Sequence, residues 1–569
     1  MISRLPYEPQ STSVSHYVIG TIRLSSNMNI KSYLFSLLAL ILSLSNQARK
    51  PNILFIMADD HTWQAIGSYG SHLKEFCPTE NIDRLASEGM LFKNVYCTNS
   101  ICTPSRASIL SGQYSHKNGL MTLVDTWDRD HQPNLAVELQ KAGYETAIIG
   151  KWHLHSEPIG FDYYKVLPGQ GLYFDPLLKE KGKPWQDHND GGEPYKGHSS
   201  DVIGNETLKW LGEQRDEKKP FFLMCHFKAP HGIWENAPRF NHLYANEEIP
   251  EPHSLFEDKS DRSEGSRNYG STLGPTNPIR NRVARMQNDF WPGGPLNISG
   301  MGKKQQTRAA YQRYLKDYLR CVAGVDENVG RVLDYLSDNG IEDDTLIIYT
   351  GDQGMMLGEH DHVDKRWAFE ESMRMPFIAR FPKEIEANSI NKDIINNVDF
   401  APTLLDFAGV KKPEAMQGRS FRKILRGETP RSWRQSTYYR YWMHRAHHDI
   451  PAHYAIRTQR YKLIFYYGLA LHPNMDEIWA YGPGEEINEE NLHQVSSWGA
   501  TKPESTPARL ELFDMEKDPY EQNNVYDDPG YEKVRELLKA KLLELKREVE
   551  DRDSSYPELV NRREQAWKN

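Results

Sequence analysis

Five stretches of this chain carry side chains whose types and spacing suit joint chemistry. Asp59-Asp60-His61 follows the apolar run Asn52–Ala58, and Gly150-Lys151-Trp152-His153 follows Thr146–Ile149. Lys228-Ala229-Pro230-His231 follows Phe221–Phe227, and Asp352-Gln353 lies just past Thr345–Tyr349. Short apolar runs of this kind predict buried parallel strands. In an open α/β sheet, ligands bind beyond the carboxyl ends of such strands, where all four clusters fall. The fifth stretch is Cys102-Thr103-Pro104-Ser105-Arg106-Ala107-Ser108-Ile109-Leu110-Ser111-Gly112. Thr103 suits a helix cap, Pro104 a first helical position and Gly112 a stop. Cys102 would then sit at a helix amino terminus, where free N–H groups and the helix dipole favour an anion, with Arg106 one turn along. By itself this pattern fits a buried thiol beside a capped helix equally well. Asp59, Asp60, Asp352 and Gln353 offer hard oxygens, which suit Ca²⁺ or Mg²⁺ better than Zn²⁺. Alone, Asp59-Asp60 would be an ordinary solvated strand end.

The elements that must position these residues alternate along the chain. Leu135–Leu139 predicts a helix ending near Gly143, Tyr314–Leu336 keeps a helical period to Gly340, and Asp399-Phe400-Ala401-Pro402 opens another helix. The expected fold is α/β: a large, doubly wound, mostly parallel sheet flanked by helices, with a smaller C-terminal α+β domain. Residues 49–430 form the main domain. It contains an insertion at about 235–305, rich in Pro, Gly, Asn and charge and too long for a plain connector. That insertion reads as a surface element near the ligand, with a solvated loop as the alternative. Residues 431–569 form the second domain, with strand-like Tyr438–Trp442 and Tyr461–Tyr467 and a helix at about 531–549. Before the main domain, Met28–Ala48 has a positive start, the apolar run Leu34–Leu44 and a small residue for cleavage. It reads as a signal peptide, too short to span a bilayer, behind an untidy or non-native leader at 1–27.

The totals agree with a soluble, core-forming chain: 569 residues, 38% hydrophobic and 26% charged. A net charge of −9 supplies no global basic field for nucleic acid. Five cysteines, an odd and sparse set, make no disulfide framework in an exported protein.

Cys102-Thr103-Pro104-Ser105-Arg106 resembles the Cys-x-Pro-Ser-Arg signature of the type I sulfatases of the alkaline phosphatase superfamily, and Leu110-Ser111-Gly112 continues it. The resemblance extends from Pro51 to Leu512-Phe513-Asp514-Met515-Glu516-Lys517-Asp518-Pro519. It implies that Cys102 is oxidised by a maturation enzyme to formylglycine (3-oxoalanine), whose hydrate attacks sulfur. It implies that Asp59, Asp60, Asp352 and Gln353 ligate one Ca²⁺, less readily Mg²⁺, with modified Cys102 completing the set. Gln353 departs from the Asn or His more common at that position. Gly150-Lys151-Trp152-His153, Ala229-Pro230-His231, and Gly358-Glu359-His360 followed by Lys365 are similar to further family segments. With the Cys102–Arg106 signature they imply that Arg106, Lys151 and Lys365 neutralise charge and that His153 and His231 donate or shuttle protons, while His360 takes no role. Sulfate transfer, like phosphoryl transfer, needs mainly positioning and neutralised charge.

The aromatic, histidine-rich segment at 438–454 suggests contacts to a sulfated sugar from Arg445, His448 and His453, or else a core strand with a polar rim. The expected activity is therefore hydrolysis of sulfate esters on a carbohydrate, including algal glycans such as ulvan, by a periplasmic or secreted enzyme. Alternatives are a formylglycine-dependent phosphonate monoester or phosphodiester hydrolase, and a non-catalytic protein that binds sulfated glycans. A two-zinc phosphatase lacks an evident second set of ligands. No nucleic acid partner and no stable membrane span are expected.

Overall fold

The computed structural model describes residues 50–186, 190–278, 280–288, 291–472 and 504–568. The expected leader (1–27) and signal peptide (28–48) lie outside the described residues. Five strands form the centre of the sheet: β1 (Asn52–Ala58), β2 (Glu145–Lys151), β3 (Tyr163–Leu167), β4 (Phe221–Phe227) and β5 (Thr345–Gly351). They pair in parallel in the spatial order β5-β1-β4-β2-β3. Antiparallel strands flank both sides, Phe377–Arg380 beside β5 and Leu177–Glu180 beside β3, within a sheet of 10 strands. Strand polarity places Asp59, Lys151 and Asp352 along one edge, as the sequence predicts.

Side chains of a strand alternate between sheet faces, so a strand buried on both sides needs two cores. Ile53, Phe55 and Met57 of β1 enter one core, and Leu54, Ile56 and Ala58 enter the other. Helices α1 (Cys102–Ser111), α2 (Leu135–Lys141) and α5 (Phe400–Phe407) pack on the first face. On the second lie the short α3 (Arg282–Arg285) and the 36-residue α4 (Lys303–Asp338). Helix α4 starts well before Tyr314, where the apolar period begins, because its first turns carry polar residues. The stretch at about 235–305 is not a solvated loop. Ile249, Leu255, Leu273, Val283 and Met286 are buried in the second core.

The small sheet is antiparallel: β6 (Ser436–Tyr441), β7 (His453–Thr458), β8 (Tyr461–Tyr466) and β9 (Arg509–Asp514). One face packs on α6 (Glu532–Glu548) through Leu538 and Leu542. The other turns Tyr439, Tyr441, Ala455, Ile464 and Phe513 into the first core of the large sheet. No helix among the described residues is long and apolar enough to cross a membrane.

Candidate active site

Helix α1 begins at Cys102 itself, two residues earlier than its cap signals suggest. Ile101 occupies the cap position and supplies no side-chain bond. Thr103 is therefore not the cap; its hydroxyl donates to the His153 carbonyl at 3.0 Å. Pro104 falls at the third helical position, where its missing N–H is still outside the helical ladder. The helix stops at Gly112 in the left-handed region, as expected.

Arg106 reaches back from the second turn and ties the strand ends together. Its Nε donates to Asp352 Oδ2 at 3.0 Å, Nη1 to the Lys151 carbonyl at 2.9 Å and Nη2 to Asp59 Oδ1 at 3.3 Å. Lys151 Nζ also pairs with Asp59, and Lys365 Nζ donates to both oxygens of Asp60 at 2.7 and 2.6 Å. His231 Nε2 stands 3.8 Å from Asp60, while its Nδ1 donates to the Gly232 carbonyl at 2.6 Å. Thus Nε2 is the nitrogen facing the carboxylates. The backbone is held in uncommon conformations here: Asp60, His153, Asp364 and Arg366 all have positive φ. Such strain persists only where surrounding packing fixes it.

Burial sets the electrostatics. It pushes the Cys102 thiol up to about 12, assisted by Asp59. Burial also drives Asp352 up to about 8, with Asp59 adding repulsion. For Asp59 burial acts upward too, but Lys151, His231 and Arg106 overcome it and hold the carboxyl well below its usual range. Burial, then Lys151, depresses both His153 and His231 well below the ordinary imidazole range.

These residues fit a hard divalent cation. Carboxylate oxygens of Asp59, Asp60 and Asp352 lie within 4.8 Å of one another. Gln353 donates its amide nitrogen to Asp60, leaving its buried Oε1 without a hydrogen-bond partner. An orphaned buried acceptor beside three carboxylates is what a cation with oxygen ligands would satisfy. Asp59, Cys102 and His231 form a second close group that shares Asp59, so the thiol position borders the same point.

Above this floor opens a cavity of about 290 Å³. Asp60, Cys102, His231 and Lys365 lie at its base, and residues 271–272, 280–282, 284–285, 363–364, 366 and 447–448 are among those that supply its walls. The insertion therefore does border the site. Of the C-terminal residues expected to meet a sugar, only His448 lines the cavity. Arg445 instead pairs with Asp449 at 2.7 Å and lies over the Tyr269 ring. His453 is fully buried among Tyr439, Tyr441, Tyr466 and Trp367, with Nδ1 bonded to the Pro451 carbonyl. Neither lines the cavity: Arg445 is held by its own ion pair, and His453 is packed in the core with Nε2 unpartnered. His360, bonded through Nδ1 to Glu257 and Arg262, does not line it either.

Residues 51–410 match the family described as Sulfatase, and 358–480 match the C-terminal region of N-sulphoglucosamine sulphohydrolase. The chain belongs to the sulfatase family. It is 38% identical over 550 residues to an N-acetylglucosamine-6-O-sulfatase of Bacteroides thetaiotaomicron, covering 90% of this chain and 89% of that one. Among solved structures, one in complex with its substrate D-glucosamine-2-N,6-O-disulfate is 36% identical, with TM-score 0.74, covering 89% of this chain and 99% of that one. An ulvan-active sulfatase of Formosa agariphila is 25% identical, covering 86% of this chain and 81% of that one. This sulfatase is thus an enzyme of sulfate ester hydrolysis with the expected large sheet and small C-terminal sheet.

Sequence reading missed several residues at this sulfatase's site. Gln170 accepts from Lys151 through its side chain and from Lys228 through its carbonyl at 3.2 Å. Tyr318 of α4 donates its hydroxyl to the Asp60 carbonyl at 2.7 Å. Neither has a sequence signal, since each approaches from a distant segment. Arg280, Arg282, Arg285 and Arg366 also line the cavity. The close spacing of the first three was the one available signal.

Proposed function

We propose that this sulfatase removes 6-O-sulfate from glucosamine-type sugars of a sulfated glycan, using formylglycine made from Cys102 and one Ca²⁺. The observation that carries the substrate class is the match, over nine-tenths of both chains, to a relative named for this chemistry. A cavity at the small end of the ligand-pocket range supports it, since such a space suits a terminal sugar better than a continuous polymer.

The hydrated aldehyde would supply the oxygen nucleophile for sulfur and a route to release sulfate without attack by water. The Ca²⁺ would be held by Asp59, Asp60, Asp352 and Gln353, with modified Cys102 adjoining, and would neutralise sulfate charge. The chain's own groups do the rest. Arg106 orients Asp59 and Asp352 through divergent nitrogens, so both present oxygens to one point. Lys151 and Lys365 offer positive charge to the sulfate, and the uncapped first turn of α1 adds its dipole. His231 would pass a proton to the leaving alcohol from Nε2 once that nitrogen is protonated, because in the neutral ring the proton sits at Nδ1, bonded to the Gly232 carbonyl. Anionic substrate offsets Lys151 and Lys365, two of the causes that depress this histidine. His153, with a buried and unpartnered Nδ1, is positioned to hold or move a proton near the nucleophile.

Export to the periplasm or beyond rests on the signal-peptide pattern at Met28–Ala48, and maturation of Cys102 requires an oxidising enzyme as partner. The domain division at about residue 430 follows the change from the large to the small sheet. Ulvan-type algal sugars are a second reading, favoured by the Formosa agariphila relative.

The test is sulfate release from N-acetylglucosamine-6-sulfate, glucosamine-2-N,6-O-disulfate, ulvan oligosaccharides and an aryl phosphonate. Release from the 6-sulfated amino sugars in preference to the others is expected. Preferential cleavage of ulvan oligosaccharides or of the phosphonate would overturn the assignment.

A further inference from the structure

The cavity wall holds more positive charge than one sulfate ester can answer. Its lining contains the cations Arg280, Arg282, Arg285, Lys365 and Arg366 against the carboxylates Asp60 and Asp364. Both carboxylates are engaged, Asp60 by Lys365 and Asp364 by Arg366. Arg280, Arg282 and Arg285 make no ion pair among the described residues. Arg282 is 7% exposed, yet its Nε has no hydrogen-bond partner. Arg280 Nη1 and Arg285 Nε are buried and unpartnered as well.

The segment carrying them is firmly built. Thr272 and Arg280–Arg282 exchange backbone hydrogen bonds of 2.9 Å, and the Asn281 side chain caps α3 by accepting from Ala284 N–H at 2.8 Å. Val283 and Met286 anchor α3 in the core below. Arg282 and Arg285 are three apart and share a helix face, and the Arg282 guanidinium lies 5.6 Å from the Trp234 ring. Burial, reinforced by Arg282, pulls Arg285 down to about 9, still charged at neutral pH. Buried guanidinium N–H groups without acceptors are costly, and their forked geometry suits sulfate or carboxylate oxygens.

We infer that Arg280, Arg282 and Arg285 form a second anion subsite, which binds a further negative group of the substrate beside the sulfate that is removed. This inference rests on the amino-sugar reading above and deepens it. The preferred substrate carries at least two anionic groups, the second being either an N-sulfate on the same ring or the carboxylate of a neighbouring uronic acid. Both are oxyanions within reach of a guanidinium fork, and a lone 6-sulfate leaves the three arginines without a counterion among the described residues.

The test uses the full-length, Ca²⁺-loaded Cys102→Ala protein, which binds without turnover, and titration calorimetry with three probes. These are N-acetylglucosamine-6-sulfate, glucosamine-2-N,6-O-disulfate, and a disaccharide of a uronic acid linked to N-acetylglucosamine-6-sulfate. At least one doubly charged probe should bind roughly tenfold or more tightly than the singly charged sugar, the worth of a charge-assisted hydrogen bond. Which one does so identifies the source of the second anion. The ratio should fall towards one in Arg282→Gln and in Arg285→Gln, and Arg282→Lys should restore part of it. Binding of the singly charged sugar reports the fold of each variant. A ratio near one in the parent, or one that survives both glutamine variants, overturns the subsite. Sulfate release by the unsubstituted enzyme from the same sugars reads the amino-sugar assignment separately. Preferential binding without release leaves the subsite standing and removes that assignment; release with a ratio of one does the reverse. No binding of any probe overturns both.

Discussion

Gly150 offers a sharp test of how the sheet positions the site. It precedes Lys151 at the end of β2, has φ +104°, and pairs in register with His226 of β4. A Cβ built at this position would lie 1.9 Å from the His226 carbonyl oxygen. Backbone cannot swing aside as a flexible side chain can, so Gly150→Ala must move one strand relative to the other. The positive φ alone costs about 1–2 kcal/mol for an L-residue. Forcing extra volume into a packed interior adds about 1–3 kcal/mol. The expected loss is therefore roughly 2–5 kcal/mol, a large part of the 5–15 kcal/mol that holds a typical domain. Gly340 is the control, because it has φ +65° and open space around its missing Cβ. Gly340→Ala should lose only the conformational part. Urea unfolding of both variants against the parent measures the difference, and turnover of a 6-sulfated amino sugar measures displacement of Lys151 and His153. Equal destabilisation of the two variants, or a Gly150→Ala enzyme with parental turnover, would refute the claim that strand contact at Gly150 sets the position of Lys151.

Other predictions follow from single residues. Cys102→Ala should fold with parental stability and lose essentially all sulfate release, and peptide mass spectrometry of the active parent should show the oxidised residue at 102; an active alanine variant ends the mechanism. Chelation should remove activity and Ca²⁺ should restore it better than Zn²⁺. Gln353→Leu should lower Ca²⁺ content in elemental analysis, whereas two tightly held zinc ions in the parent would contradict the assigned centre. His453, neutral in its aromatic surroundings, is depressed by burial from 6.5 to about 4. The unfolded chain then binds the extra proton first, so this group's contribution is present above about pH 6.5 and is lost as pH falls towards 4, by roughly 3 kcal/mol in all. His453→Phe should flatten unfolding free energy across that window, and an unchanged pH profile would show that His453 is not the titrating group.

Much of the framework was legible because its signals are local. β1 and β4 have the bounds of their apolar runs, since polar residues end each run abruptly. β2 and β5 extend further, to Lys151 and Gly351, because sheet pairing carries a strand past its apolar residues. The aspartates, Lys151, Arg106, His231 and Lys365 converge because strand polarity alone delivers most of them to one edge. What sequence could not fix was competition among partners. Arg445 and His453 had the right chemistry for a sugar, but Asp449 lies four residues along to capture the first, and strand alternation turns the second into the core. The wall arginines were hidden for a similar reason. Their segment has no apolar period, so nothing local revealed that Val283 and Met286 anchor it beside Cys102.

The burial of Cys102 also orders events in time. The residue is 1% exposed, and its neighbourhood is closed by chain made much later: Ser105 of the same helix bonds to Asp352, 247 positions further on. A thiol at the base of so small a cavity, with burial pushing its pKa up to about 12, is out of reach of a protein-sized catalyst once folding is complete. If Cys102 is oxidised by an enzyme, as proposed above, that enzyme would act on the emerging or still-open chain, before the segments carrying Asp352 and Lys365 arrive. On that proposal, activity would depend on a race between two rates, closure of the fold and oxidation of one side chain. Substitutions that speed closure would yield more stable protein with a smaller active fraction.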